Sequence, residues 1–196
     1  IIFSVRFSIK NYITKYLDES LKVAKIQNNL IDEIENITEL ILKSLKAGNK
    51  ILICGNGGSA SDSQHFAAEF VGRFKNDKEP LAAIALTTDS SILTSIGNDY
   101  GFEYIFSKQI EALGKKDDVL IVISTSGSSQ NIINALKEGK NKGLLTISFV
   151  GNNKESIESL SDVFITIPSD ETGVIQQAHI TLLQVIAGAV EYSLIK

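Results

Sequence analysis

From position 11 to 47, apolar residues recur at three- and four-residue steps: Leu17, Leu21, Ala24, Ile31, Ile34, Ile37, Ile41, Leu42 and Leu45. Glu, Lys and Asn fill much of the remainder. That period predicts amphipathic helix, as two pieces or one long bent one, ended by Gly48. The stripe suits two uses, packing on its own domain or contact between subunits. After Gly48 the pattern changes. Continuous apolar runs predict strands at 50–54, 81–86, 118–123, 144–150 and 163–167, and helical patterns fall at 59–71, 90–96, 102–112, 129–140, 154–160 and 173–194. Strands apolar on both faces, alternating with helices, predict an α/β fold: a three-layer sandwich with right-handed crossovers behind an N-terminal helical region.

Composition narrows this. A chain of 196 residues, 43% hydrophobic and 21% charged, reads as one globular domain, with 11–47 as the helical region and 48–196 as the α/β core. A net charge of -4 argues against nucleic-acid binding. The single cysteine, Cys54, rules out an internal disulfide framework and fits a cytoplasmic location. No apolar run reads as a membrane span, and the first ten residues lack the features of a signal peptide. The chain contains no methionine, so its first residue need not be the translated start.

Two turns carry the candidate chemistry. Strand 50–54 runs into Gly55-Asn56-Gly57-Gly58-Ser59-Ala60, and strand 118–123 runs into Ser124-Thr125-Ser126-Gly127-Ser128-Ser129. Each opens a helix, whose first N–H groups and partial positive charge suit a phosphate. The first turn is neither a Walker loop nor a dinucleotide fingerprint, and its glycines also suit a plain tight connection. Asn56 and Ser59 supply polar groups there. The second turn is the stronger phosphate candidate, because a helix cap needs one hydroxyl and this turn has five. On the helix after the first turn, His65 and Glu69 are four apart and share a face. They suit a divalent metal, zinc above all, or a hydrogen-bonded surface pair. Asp62 and Gln64 on that helix read as solvent-directed. Asn98 and Asp99, in Gly97-Asn98-Asp99-Tyr100-Gly101, suit either a turn or hydrogen bonds to sugar hydroxyls. The last helix carries Gln176, Gln177, His179 and Gln184 among apolar neighbours. Either an interface or a substrate cleft between the first and last helices would account for them.

Together these segments resemble the sugar isomerase (SIS) domain family, and within it the sedoheptulose 7-phosphate isomerases. The resemblance rests on Gly55–Ala60, His65-Phe66-Ala67-Ala68-Glu69, Gly97–Phe102, Ser124–Gly127 with Ser129, and Ile175-Gln176 with His179. It implies a five-stranded parallel sheet of flavodoxin type. It also implies a homotetramer with active sites between subunits, and conversion of sedoheptulose 7-phosphate to glycero-manno-heptose 7-phosphate for lipopolysaccharide, capsule or related glycans. Carried over by position, Ser124, Thr125, Ser126 and Ser129 hold phosphate, with Ser59 nearby. Asn56, Gly57, Gly58, Asn98, Asp99 and Gln176 contact the sugar. His65, Glu69 and Gln176 ligate one Zn²⁺, and Glu69 also transfers the proton.

The chain departs from the family pattern near its end, where the usual Arg-Ile-Gln-Glu stretch reads Val174-Ile175-Gln176-Gln177, and one departure matters most. A second histidine, fourth zinc ligand and proton-transfer partner, is expected eight residues beyond Gln176, where this chain has Gln184. A glutamine does not shuttle protons at neutral pH, and its amide oxygen is a weaker zinc ligand than imidazole. His179 is a candidate substitute. The resemblance also admits a catalytically silent relative that binds sugar phosphate or the bacterial replication initiator.

Overall fold

Gly48 ends the N-terminal helices as its position predicts. It has φ +82°, and its N–H donates to the Leu45 carbonyl at 3.0 Å. The computed structural model describes residues 8–195, so the reading of the first ten residues falls mostly outside that range. The N-terminal region is two helices, α1 (Ile9–Ile26) and α2 (Ile31–Lys46), joined by one 3₁₀ turn. Their stripes go different ways. Ile37, Ile41 and Leu45 of α2 are buried, whereas α1 buries Val23 and leaves Ile9, Tyr12, Ile13, Leu17 and Leu21 exposed.

The rest alternates strand and helix. The strands are β1 (Ile51–Gly55), β2 (Ala83–Ala85), β3 (Val119–Ser124), β4 (Leu145–Val150) and β5 (Val163–Thr166). They form one parallel sheet in the order β2-β1-β3-β4-β5. The helices are α3 (Gly58–Val71), α4 (Ser90–Asp99), α5 (Ser107–Leu113), α6 (Gln130–Asn141) and α7 (Thr172–Ile195). Side chains alternate across the sheet, as a strand requires. Ile51, Ile53, Ile121 and Ile123 pack with Phe66, Ile41 and Leu183 on one face. Leu52, Cys54, Leu120 and Val122 pack with Ile110, Ile132 and Leu136 on the other.

Three expected elements differ. The helix expected at 90–96 runs on to Asp99, because the stop is Gly101 (φ +111°) rather than Gly97. The helix expected at 102–112 is a 3₁₀ turn, Phe102–Tyr104, followed by α5. Ser107 and Gln109 side chains take the Tyr104 and Ile105 carbonyls at that break. Of 154–160 only Glu158–Leu160 is helical, as a 3₁₀ turn. The Ser161 and Thr146 hydroxyls take the Ile157 and Leu160 carbonyls there.

Helix α7 corrects the reading of membrane-span lengths, since it is long and apolar enough to cross a bilayer. Its apolar side instead lies against the rest of the fold, with Val174, Ala178, Leu182, Ile186 and Val190 all buried in the core. Near its end sits Glu191, 2% exposed. Its carboxylate accepts from the backbone N–H groups of Phe74, Lys75 and Asn76 at 2.9–3.1 Å, and from Asn76 Nδ2 at 3.0 Å. Burial alone would raise its pKa, but the N–H groups of Lys75, Asn76 and Phe74 hold it below the usual range. One turn earlier, Gly188 leaves room for the Phe74 ring. The segment leaving α3 is thereby fastened to α7.

Candidate functional site

The strand order reverses between β1 and β3, and such a switch point opens a crevice beyond the strand ends. Both turns read from the sequence leave the sheet there, side by side, since Gly55 is in register with Ile123. Close approach of backbone demands the glycine at 55. A Cβ on Gly55 would lie 2.7 Å from the Ser59 carbonyl oxygen, and one on Gly58 would lie 2.5 Å from Gln176 Nε2. Gln176 therefore reaches the first turn from α7. Ser59 is buried, its N–H donating to the Asn56 carbonyl at 3.0 Å.

The second turn is shaped by its own hydroxyls. Ser124 Oγ accepts from the Gly127 N–H at 3.2 Å and is buried, so this hydroxyl braces the turn from within. Thr125 is half-buried and Ser126 exposed. Ser129 is the N-cap of α6, and its side chain makes no cap bond. It faces Ser126 Oγ at 3.5 Å. The first N–H groups of α6 lack intrahelical partners, as at any helix start. The loop after β4 interlocks with this turn. A Cβ on Gly127 would overlap the Asn153 carbonyl oxygen, and one on Gly151 would overlap the Thr125 carbonyl oxygen.

Along α3, His65 Nε2 lies 3.0 Å from Glu69 Oε1, with side chains 48% and 17% exposed. Both sequence readings of that spacing need one shared face, and they share one. Three residues before His65, Asp62 is half-buried, with Oδ2 buried and without a hydrogen-bond partner. Burial raises its pKa, partly offset by His65. Its reading as solvent-directed is thus corrected: one oxygen is out of water, which helical period alone could not show. Gln64 is exposed, as read, and donates to Thr87 Oγ1 at 3.2 Å.

The last-helix residues separate. His179 is fully buried beside Phe149, with Nε2 on the Val150 carbonyl at 3.2 Å and burial pushing its pKa down to about 4. It cannot replace the missing histidine, because a neutral core imidazole out of reach of solvent does not shuttle protons. Gln177 accepts from Ser20 Oγ at 3.2 Å and donates to Tyr16 Oη at 3.4 Å, tying α7 to α1. The groove between α1 and α7 is lined chiefly by Leu17, Leu21, Val23, Ala24 and Ala178, and neither turn borders it. The groove between those helices is thus separate from the polar turns, which lie at the switch point. Gln184 lines a separate open groove of about 700 Å³ with Phe74, Asn76, Val185 and Tyr192.

Asn98 and Asp99 close the last turn of α4 rather than an open turn. Both are exposed, and Asn98 Nδ2 donates to Asp99 Oδ1 at 2.7 Å. Among the described residues, no three His, Cys, Asp or Glu side chains converge as a metal site would require. One chain offers zinc an imidazole and a carboxylate 3.0 Å apart; Gln176 would add no more than an amide, and Gln184 lines a separate groove. Amide oxygens are weak zinc ligands, so the donor set of a single chain fits zinc poorly.

Known proteins resemble this chain over most of its length. Residues 15–151 match the family model of the SIS domain. Phosphoheptose isomerase 1 of Campylobacter jejuni is 46% identical over 183 residues, which is 93% of this chain and 98% of that protein. The phosphoheptose isomerase of Clostridium acetobutylicum is 45% identical over 190 residues, 95% and 96% of the two chains. Among solved structures, phosphoheptose isomerase GmhA from Neisseria gonorrhoeae superposes with a TM-score of 0.88 at 40% identity, covering 94% of this chain and all of that one.

Proposed function

The chain belongs to the SIS domain family, and from its likeness to phosphoheptose isomerases over nearly its whole length we propose how its residues isomerise sedoheptulose 7-phosphate. The protein is a phosphosugar isomerase that forms D-glycero-D-manno-heptose 7-phosphate, a precursor in heptose synthesis. Its phosphate sits on the second turn, held by Thr125, Ser126 and Ser129 and the first N–H groups of α6. Neutral donors suffice there, since the helix end supplies the positive potential. Asn56, Gly57, Gly58 and Gln176 meet the sugar at the first turn.

Glu69 takes a proton from C1 of the open-chain ketose while the C2 oxygen gains one, giving an enediol. Loss of the C1 hydroxyl proton and return of the proton from Glu69 to C2 then give the aldose. His65, whose Nε2 lies 3.0 Å from Glu69 Oε1, stands beside the carboxylate and keeps it in place. The observation that carries this reading is the meeting of both turns at one switch point, at the start of the helix that bears Glu69.

The active form is a homotetramer with shared sites. The apolar side of α1 left exposed at Ile9, Tyr12, Ile13, Leu17 and Leu21 supports subunit contact. Asn98 and Asp99 stand at the surface, bonded to each other rather than to either turn, which suits a role in a neighbour's site. A free sugar phosphate as substrate is in keeping with a cytoplasmic location. The test is ¹³C NMR of sedoheptulose 7-phosphate incubated with the protein. Aldose accumulates with the unaltered chain and not with Glu69→Gln of equal melting temperature. An unchanged rate in that variant removes Glu69 from the mechanism.

A further inference from the structure

We propose that Asn131 is a positioning residue that locks the sugar turn to the phosphate turn, an inference that rests on the isomerase reading. Asn131 is the second residue of α6, where an amide would ordinarily face water, yet it is 2% exposed. Its Nδ2 donates to Asn56 Oδ1 at 2.8 Å, and Asn56 Nδ2 donates back to Asn131 Oδ1 at 2.9 Å. These two carboxamides, 75 residues apart in sequence, close a ring of two hydrogen bonds across the switch point.

The ring has a directional consequence. Flipping either amide would set oxygen against oxygen and nitrogen against nitrogen, so each fixes the orientation of the other. Each amide keeps one N–H and one oxygen lone pair unused by the pair. Asn131 is buried, so its share is out of a ligand's reach. Asn56 is half-buried, and its share is available. Asn131 thus determines how Asn56 presents itself without touching substrate. It also ties the loop after β1 to the helix after β3, fixing the span between the sugar and phosphate subsites. A ligand bridging both turns depends on that tie, whereas a lone phosphate on the second turn does not.

Calorimetry with sedoheptulose 7-phosphate and, separately, inorganic phosphate tests this on the full chain and on Asn131→Leu, Asn56→Leu and the double variant. Asn131→Leu weakens sugar-phosphate binding about 10-fold, in the range of a lost pair of buried hydrogen bonds, and leaves inorganic phosphate within about twofold. The double variant is no weaker than the weaker single one, because the amides act as a unit. In turnover the loss falls on KM rather than kcat, since Glu69 lies three turns further along α3. Should Asn131→Leu fail to fold, Asn131→Asp keeps the shape and one of the two bonds, and it too weakens the sugar phosphate. Sugar-phosphate affinity equal to that of the unaltered chain, parallel losses for both ligands in the Leu variant, or additive single effects would each overturn the proposal. The titrations are run in a Glu69→Gln background so that no turnover accompanies binding, and an unaltered chain without activity would remove the isomerase reading while leaving this comparison intact.

Discussion

Gly127→Ala puts the phosphate turn to a quantitative test, with Gly48→Ala as its control. Both glycines have positive φ, +63° and +82°. An alanine in that region costs about 1–2 kcal/mol for its backbone alone. At Gly48 nothing lies within 4 Å of the added methyl, so the backbone cost is the whole effect. At Gly127 the methyl would overlap the backbone carbonyl oxygen of Asn153. An ordinary C···O contact is about 3.3 Å, so main chain on one side must retreat. Overpacking of this kind costs about 1–3 kcal/mol more. For a chain of this size 1 kcal/mol is worth about 2–4 °C. Gly127→Ala therefore lowers the melting temperature by about 4–20 °C, against about 2–8 °C for Gly48→Ala. The measurement is far-UV circular dichroism at fixed protein concentration, since the tetramer proposed above would melt in a concentration-dependent way. Only the Gly127 variant also weakens inorganic phosphate, by calorimetry, because the retreating main chain belongs to the phosphate turn or its interlocked neighbour. Equal melting shifts in the two variants, or full phosphate affinity in Gly127→Ala, would refute the reasoning.

Acid stability carries the signature of His179. Its folded pKa, pushed down to about 4, lies below an unfolded value near 6.5, so the unfolded chain binds the extra proton between those pH values. Stability thus falls on acidification from about pH 6.5 to about pH 4, by up to about 3 kcal/mol. Urea titrations across that window show a flatter profile for His179→Phe, and an unchanged slope would contradict the burial argument. Cys54 is fully buried and desolvation pushes its thiol pKa up, so thiol reagents leave the native protein unlabelled and react only after denaturant is added. Rapid native labelling would show that the face of β1 toward α5 and α6 opens readily.

The sheet was legible because its evidence is local. Ile51–Cys54 and Val119–Ile123 are unbroken apolar runs, and the turns after them contain residues a plain connection does not need. His65 and Glu69 were legible for the same reason, four residues apart on one helix. What sequence could not supply is which way a polar side chain faces once helices pack. Gln176 and His179 are separated by about 60° around α7, and that angle takes one to the substrate turn and the other into the core. Asp62 sits at a polar-looking position but has an oxygen out of water, through tertiary packing that periodicity does not encode. Asn131 gave no local signal, because its partner lies in another crossover unit. Asn98 and Asp99 have turn-forming side chains, yet α4 runs through them to the glycine at 101.

Helix α7 holds the start of α3 and the segment leaving it, with Gln176 against Gly58 at one end and Glu191 on the amides of Phe74, Lys75 and Asn76 at the other. Adding or deleting one residue between 176 and 191 would turn these two contacts about 100° apart and shift them by about 1.5 Å. Both could not then be kept. This stretch acts as a gauge of fixed length: it admits changes of side chain, but its residue count is set by the helix beside it.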